Sequence, residues 1–159
     1  MKFIVSKKII DNRAVYTSVL WMVVFLIIAM VLNLVAKGID FGITPAQWIN
    51  AILGNEEEFI DPLTLKDLLL TLHTELFGLI LLFVLISALL MRTSRSRTLK
   101  MVILLSGIIS LLIYPLELLA SLSIGNFAIL LAWGAFILFH LLMIGSAIDI
   151  LILLLRKRF

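Results

Sequence analysis

LLLTLHTELFGLILLFVLISALLM, residues 68–91, decides the fold: it is a continuous apolar run whose only ionisable side chains are His73 and Glu75. About 20 such residues cross the roughly 30 Å of bilayer hydrocarbon as an α-helix. Three further runs of this kind flank it, at 15–36, 101–122 and 127–155. The first follows Lys7, Lys8 and Arg13. It exceeds the ~7–15-residue apolar core of a cleaved signal peptide and lacks a small-residue cleavage site, so it reads as a retained span.

Composition agrees. Hydrophobic residues make up 63% of the chain and charged ones 14%, with mean hydropathy +1.22. A soluble domain holds about 45–50% apolar and about 25% charged residues. The expectation is an all-α, four-helix antiparallel transmembrane bundle, with residues 1–159 forming a single domain. Without cysteine, disulfides, thiolate metal sites, iron–sulfur clusters and c-type haem attachment are excluded. No glycine-rich phosphate loop, G-x-S-x-G or H-E-x-x-H occurs, so no motif assigns an enzymatic reaction.

Charge sets the expected orientation. Lys2, Lys7, Lys8 and Arg13 precede the first span, Arg92, Arg95, Arg97 and Lys100 join the second to the third, and Arg156, Lys157 and Arg158 follow the fourth. Only Lys37 and Lys66 fall on the other side. The positive-inside rule then makes both termini cytoplasmic. It also accounts for the net charge of +3 without a nucleic-acid partner.

Residues 37–64 form the longer outer connection. Thr44-Pro45-Ala46-Gln47 combines a capping residue, proline at the first helical position and glutamine at the third. Trp48, Ile49, Ile52 and Leu53 share one face, and Gly54 can end the helix. This predicts a short amphipathic helix on the outer membrane surface. Glu56, Glu57 and Glu58 follow as a solvated acidic patch, and Thr64 with Asp67 starts the second span.

Ionisable residues inside a bilayer are costly unless paired or used. Counted at 1.5 Å per residue from the cytoplasmic boundaries, Asn33, His73, Glu75, Glu117 and His140 lie at about 22–28 Å, all in the outer third. At 100° per residue, Ser106, Ser110, Tyr114, Glu117 and Ser121 form one polar stripe spanning about 80°, which belongs inside the bundle. His73 and Glu75 are about 160° apart and cannot share one central axis. On the fourth span, Gly134, Leu138, Leu141, Gly145 and Asp149 form a face suited to close packing, with His140 opposite. Asp149, nearer the cytoplasm, is expected to pair with a basic residue of the 92–100 loop or the C-terminal cluster.

Three readings follow. In the first, His73 and His140 ligate a haem b for electron transfer near the outer face, with Glu75 or Glu117 handling protons for a quinone. Membrane b-type cytochromes likewise place haem ligands on alternate helices of a four-helix bundle, a similarity of architecture. In the second, His73, Glu75, Glu117 and His140 hold a divalent metal or relay protons through a small transporter, with Tyr114 and Glu117 on the proton path. In the third, the chain is a non-catalytic accessory or assembly subunit, in a membrane complex or a homo-oligomer. Its polar residues then only bond between helices and no cofactor is needed.

Gly54-Asn55-Glu56-Glu57-Glu58, Asp61-Pro62-Leu63 and His73-Thr74-Glu75-Leu76-Phe77 resemble a segment of small bacterial four-span inner-membrane proteins with no assigned activity. The resemblance covers residues 54–77. It implies a bacterial inner membrane, directs attention to His73 and assigns no reaction.

Overall fold

The computed structural model describes residues 12–156, and within them every long element is helical. Helix α1 spans Arg13–Phe41, α2 Pro45–Leu53, α3 Leu65–Met91, α4 Arg97–Ile124 and α5 Asn126–Leu155. All except α2 are long and apolar enough to cross a membrane. Lys2, Lys7, Lys8, Lys157 and Arg158, five of the basic residues used to orient the chain, lie outside the described residues.

The ends of the helices follow their local chemistry. Asn12 caps α1 by accepting from Ala14 N, and Ser96 caps α4 by accepting from Leu99 N. Both expected capping boxes form, Thr44 with Gln47 before α2 and Thr64 with Asp67 before α3. Each satisfies amide donors that a helix start leaves unpaired. Gly42 turns the chain from α1 into α2 at φ 83°, and a Cβ there would lie 2.4 Å from the Gln47 side chain. Only glycine suits that turn. Between α2 and α3, Asn55 and Ile60 exchange two backbone hydrogen bonds, so the acidic triplet sits on a closed tip.

Helix α5 is central: it touches every other helix, and its most apolar window is the most enclosed of the four spans. Ala128, Ala132, Ala135, Ser146 and Ala147 line its buried side, letting neighbours approach closely. On α4, Gly107 gives way to Met143 and Phe83, each 3.0 Å from where a Cβ would stand. The expected packing face of α5 is not the one used. Leu138, Leu141 and Gly145 are exposed, and nothing lies within 4 Å of a Cβ at Gly134 or Gly145. A helix that is apolar all round carries no hydropathy signal for its inward side.

Two other departures shape the site. First, α1 continues past Ala36 to Phe41, so Lys37 belongs to a membrane-spanning helix and not to a loop. Second, α2 turns its apolar face against α1 and α5, not toward a membrane surface, burying Trp48 and Ile52 fully.

Candidate functional site

Asn33, Lys37 and Asp40 are spaced one turn apart on α1, at i, i+4 and i+7, and the first two reach into the bundle by different routes. Lys37 meets Glu75 of α3, with Nζ 2.7 Å from Oε2. Tyr114 of α4 donates its hydroxyl to the same Oε2 at 2.5 Å. Three helices are thereby tied at one oxygen. The lysine and glutamate side chains are only 5% and 7% exposed. The lysine nitrogen also lies over the Phe41 ring at 4.5 Å, and 5.8 Å from the Tyr114 ring centre. Removing two charges from water is repaid only by close geometry and extra hydrogen bonds, both present here. Yet Glu75 Oε1 is buried without any partner.

Asn33 takes the second route, reaching His140 on α5. The imidazole is fully buried, with Nδ1 2.8 Å from the Phe136 carbonyl and Nε2 2.9 Å from Asn33 Oδ1. A carbonyl only accepts, so Nδ1 carries hydrogen. In a neutral ring Nε2 then accepts, which requires the Asn33 amide to be turned over so that its NH2 group takes the place of Oδ1.

Aromatic rings connect the two routes. Trp48 packs against Phe41, Tyr114 and Phe136 with ring centres 5.2–6.5 Å apart, and Phe136 stacks on His140 at 4.1 Å. These tilted and edge-on contacts are the favoured aromatic geometries. The indole of Trp48 donates to Gly42 O at 2.9 Å, fixing the turn between α1 and α2.

Two hollows adjoin the cluster. A polar one of about 230 Å³ lies between α1 and α3, lined by Asn33, Ala36, Lys37, Asp40, Thr71, Thr74 and Glu75. An apolar groove of about 420 Å³ runs between α1, α2 and α5. Lys37 lines both.

Not every residue singled out in the sequence arrives here. Glu75, Tyr114 and His140 face inward, whereas His73 is exposed on the outer side of α3, as their angular separation requires. Glu117 is half-buried, and no hydrogen bond or ion pair reaches it among the described residues. Among those residues no three His, Asp or Glu side chains converge to hold a metal ion. Nor do the histidines fit a haem. Axial ligation needs a free ring nitrogen on each, but both nitrogens of His140 are engaged and His73 points away from the bundle.

Lys37 and Trp48 are the functional candidates that sequence reasoning missed. In the sequence Lys37 ends an apolar run and so reads as the start of a loop. Its spacing of four from Asn33 was the available signal.

At the opposite end, Asp149 pairs with Arg95 of the α3–α4 connection through a two-point contact, with Arg95 Nε 2.9 Å from Asp149 Oδ2. That contact holds the Arg95 guanidinium above its usual range.

No curated protein matches the chain, and no solved structure does. One family model, described as a transmembrane helical domain, matches residues 42–159, a stretch that includes Trp48, Glu75, Tyr114 and His140 but begins after Asn33 and Lys37. With α2 to α5 all inside the match, the chain belongs to this family of transmembrane helical domains.

Proposed function

We propose that this integral membrane protein takes up and releases a proton at Glu75, as the proton site of a small transporter. The observation that carries this reading is the asymmetry of one carboxylate: Oε2 is bonded twice while Oε1 is buried and unpartnered. A proton arriving at Oε1 removes the charge that holds Lys37, so the ties between α1, α3 and α4 loosen together. An intramembrane charge with a defined partner is a functional site by default, because leaving it unused is expensive. The polar hollow beside Glu75, with Asn33, Asp40 and Thr74 on its walls, supplies a route for water.

The proposed setting is a bacterial inner membrane with cytoplasmic termini. Arg92, Arg95, Arg97, Lys100 and Arg156 cluster at the end remote from α2, which favours that end as cytoplasmic. The proton site then opens toward the outer side.

Infrared difference spectra of the reconstituted protein across a pH step test this reading. A carboxyl stretching band should rise on acidification and be missing in Glu75→Gln. If the band survives in Glu75→Gln, Glu75 does not exchange protons and the cluster is a fixed clasp.

A second reading, an accessory subunit of a membrane complex, is favoured by the tip between α2 and α3. Phe59 stands there 94% exposed in a left-handed backbone conformation, next to Glu56, Glu57 and Glu58. An exposed aromatic ringed by charge suits a docking contact. Crosslinking from position 59 to a distinct membrane protein, lost on Phe59→Ser, would support it.

A further inference from the structure

His73 is exposed on α3 and Glu117 half-buried on α4, and among the described residues neither has a hydrogen bond or ion pair. Inside a bilayer an ionisable side chain without a partner is expensive. The two stand at one depth. His73 lies eight residues after Leu65, where α3 begins, and Glu117 seven before Ile124, where α4 ends, about 12 and about 10 Å from the α2 end of the bundle. Between them runs the outward face of α4. Val102, Leu105, Ile109, Leu112 and Leu116 are each more than half exposed, and their spacing of 3, 4, 3 and 4 is the heptad seam along which two helices interlock. Glu117 belongs to the flank of this seam toward α5: it is five turns beyond Leu99, which shares a hollow with Leu141, Leu142 and Gly145. The other flank belongs to α3, which also packs on α4. There His73 is about 80° around from Phe83, whose ring meets Gly107 of α4, and about 160° from Thr71 on the α1 side.

We propose that a second copy of this chain covers the outward face of α4, pairing α4 with α4 about a twofold axis along the membrane normal and joining His73 of each copy to Glu117 of the other. Rotation about that axis keeps every residue at its own depth, so only residues of equal depth meet across it, as these two do. It sets the α3 flank of one copy against the α5 flank of the other, which is where His73 and Glu117 lie. It also sets α4 parallel to its mate, so that each exposed seam fills the other. Charge chooses the occupant. A twofold interface uses the same patch on both sides and must be complementary to itself. This face carries one imidazole and one carboxylate, a donor and an acceptor for each other, whereas lipid tails offer neither group a hydrogen bond. The interface makes no use of Glu75, so it does not depend on proton exchange there.

The chain has no cysteine, so introduced thiols report on position directly. Full-length His73→Cys and Glu117→Cys proteins are mixed, reconstituted in excess phosphatidylcholine and oxidised with copper phenanthroline. Each mixed dimer then holds one pair of thiols and keeps one native His73–Glu117 pair. A disulfide-linked dimer should form in the mixture and in neither variant alone. Leu112→Cys, on the seam, should crosslink to itself, and Phe25→Cys, exposed on α1, should not. A mixture that crosslinks no more than its components would break the register, and equal crosslinking of Leu112→Cys and Phe25→Cys would reduce it to random encounter. Either result overturns the proposal. Dissociation is read separately, without thiols, from energy transfer between copies carrying dyes on a C-terminal tag as lipid is added. Glu117→Gln should raise the dissociation constant about tenfold, the loss of two interhelical bonds each worth roughly threefold. The exchanged variant His73→Glu/Glu117→His should recover it. A dissociation constant unchanged by Glu117→Gln, or no energy transfer in the parent at any lipid ratio, would overturn the proposal as well.

Discussion

The two ion pairs of this bundle are chemically alike and physically opposite. Arg95–Asp149 joins the α3–α4 connection to α5 with side chains 44% and 29% exposed, whereas Lys37–Glu75 joins α1 to α3 at 5% and 7%. Water and salt screen the first, and its partners lose side-chain freedom to hold it. The second is enclosed by protein except at the polar hollow beside Glu75, supported by Tyr114 and two aromatic rings, and left with one unmatched oxygen. The first pair can be lost without disturbing its surroundings, but the second cannot lose one member without stranding the other. That makes the α2 end the part of the bundle in which the loss of one charge bears on three helices at once.

Breaking the buried pair from one side should have the largest effect. Lys37→Met leaves the Glu75 charge buried with only Tyr114, and should destabilise the protein by about 3–5 kcal/mol. The double variant Lys37→Met/Glu75→Leu should recover most of that loss, because no stranded charge remains. Thermal unfolding in detergent reads both. Equal losses in single and double variants would mean that the pair matters as packing and not as charge, and the contrast with Arg95–Asp149 would fail.

Trp48→Ala comes next, at about 3 kcal/mol. It removes the fully buried ring on which Phe41, Tyr114 and Phe136 pack, and with it the hydrogen bond to Gly42 O that pins α2. Proteolysis within residues 42–64 should accelerate in step, since α2 loses its anchor. Unchanged cleavage would place α2 in contact with lipid and sever the α2 end from the ion pair.

These residues also mark how far the sequence could be read. Hydropathy was enough for four spans, and capping chemistry for the starts of α2 and α3, because both signals are local. The split between His73 and Glu75 was legible too, since 100° per residue forces one out when the other turns in. Lys37 was not. A lysine beside an apolar run looks like the end of a helix, and only the partner on α3 shows that the helix continues through it. The inward side of α5 was also illegible, because alanine and serine let neighbours approach as glycine does. His140 and Asn33 were visible as polar residues at one depth, but their pairing across 107 positions is a tertiary fact.

Tyr114→Phe sharpens the comparison at smaller scale. It deletes the hydroxyl that donates to Glu75 Oε2 and leaves ring packing intact, costing about 2 kcal/mol for a hydrogen bond to a charged acceptor. The Lys37→Met and Tyr114→Phe effects should not add, because both act through one carboxylate oxygen. Additive losses in the double variant would show that the two bonds are independent.

Arg95→Ala should have the smallest effect, at most about 1 kcal/mol, in keeping with a two-point contact open to solvent. Its dependence on salt is the more telling quantity. Exposed charges a few ångströms apart are weakened as ionic strength rises, whereas a pair enclosed by protein is not. The stability difference between Arg95→Ala and the parent should therefore shrink between low and high salt, while that between Lys37→Met and the parent stays constant. Both comparisons use one detergent and one protein, so a change in micelle properties cancels. If the Lys37→Met difference shrank as well, dissolved ions and not only water would reach Lys37–Glu75 through the hollow lined by Asn33, Asp40 and Thr74, and the two pairs would differ in degree only.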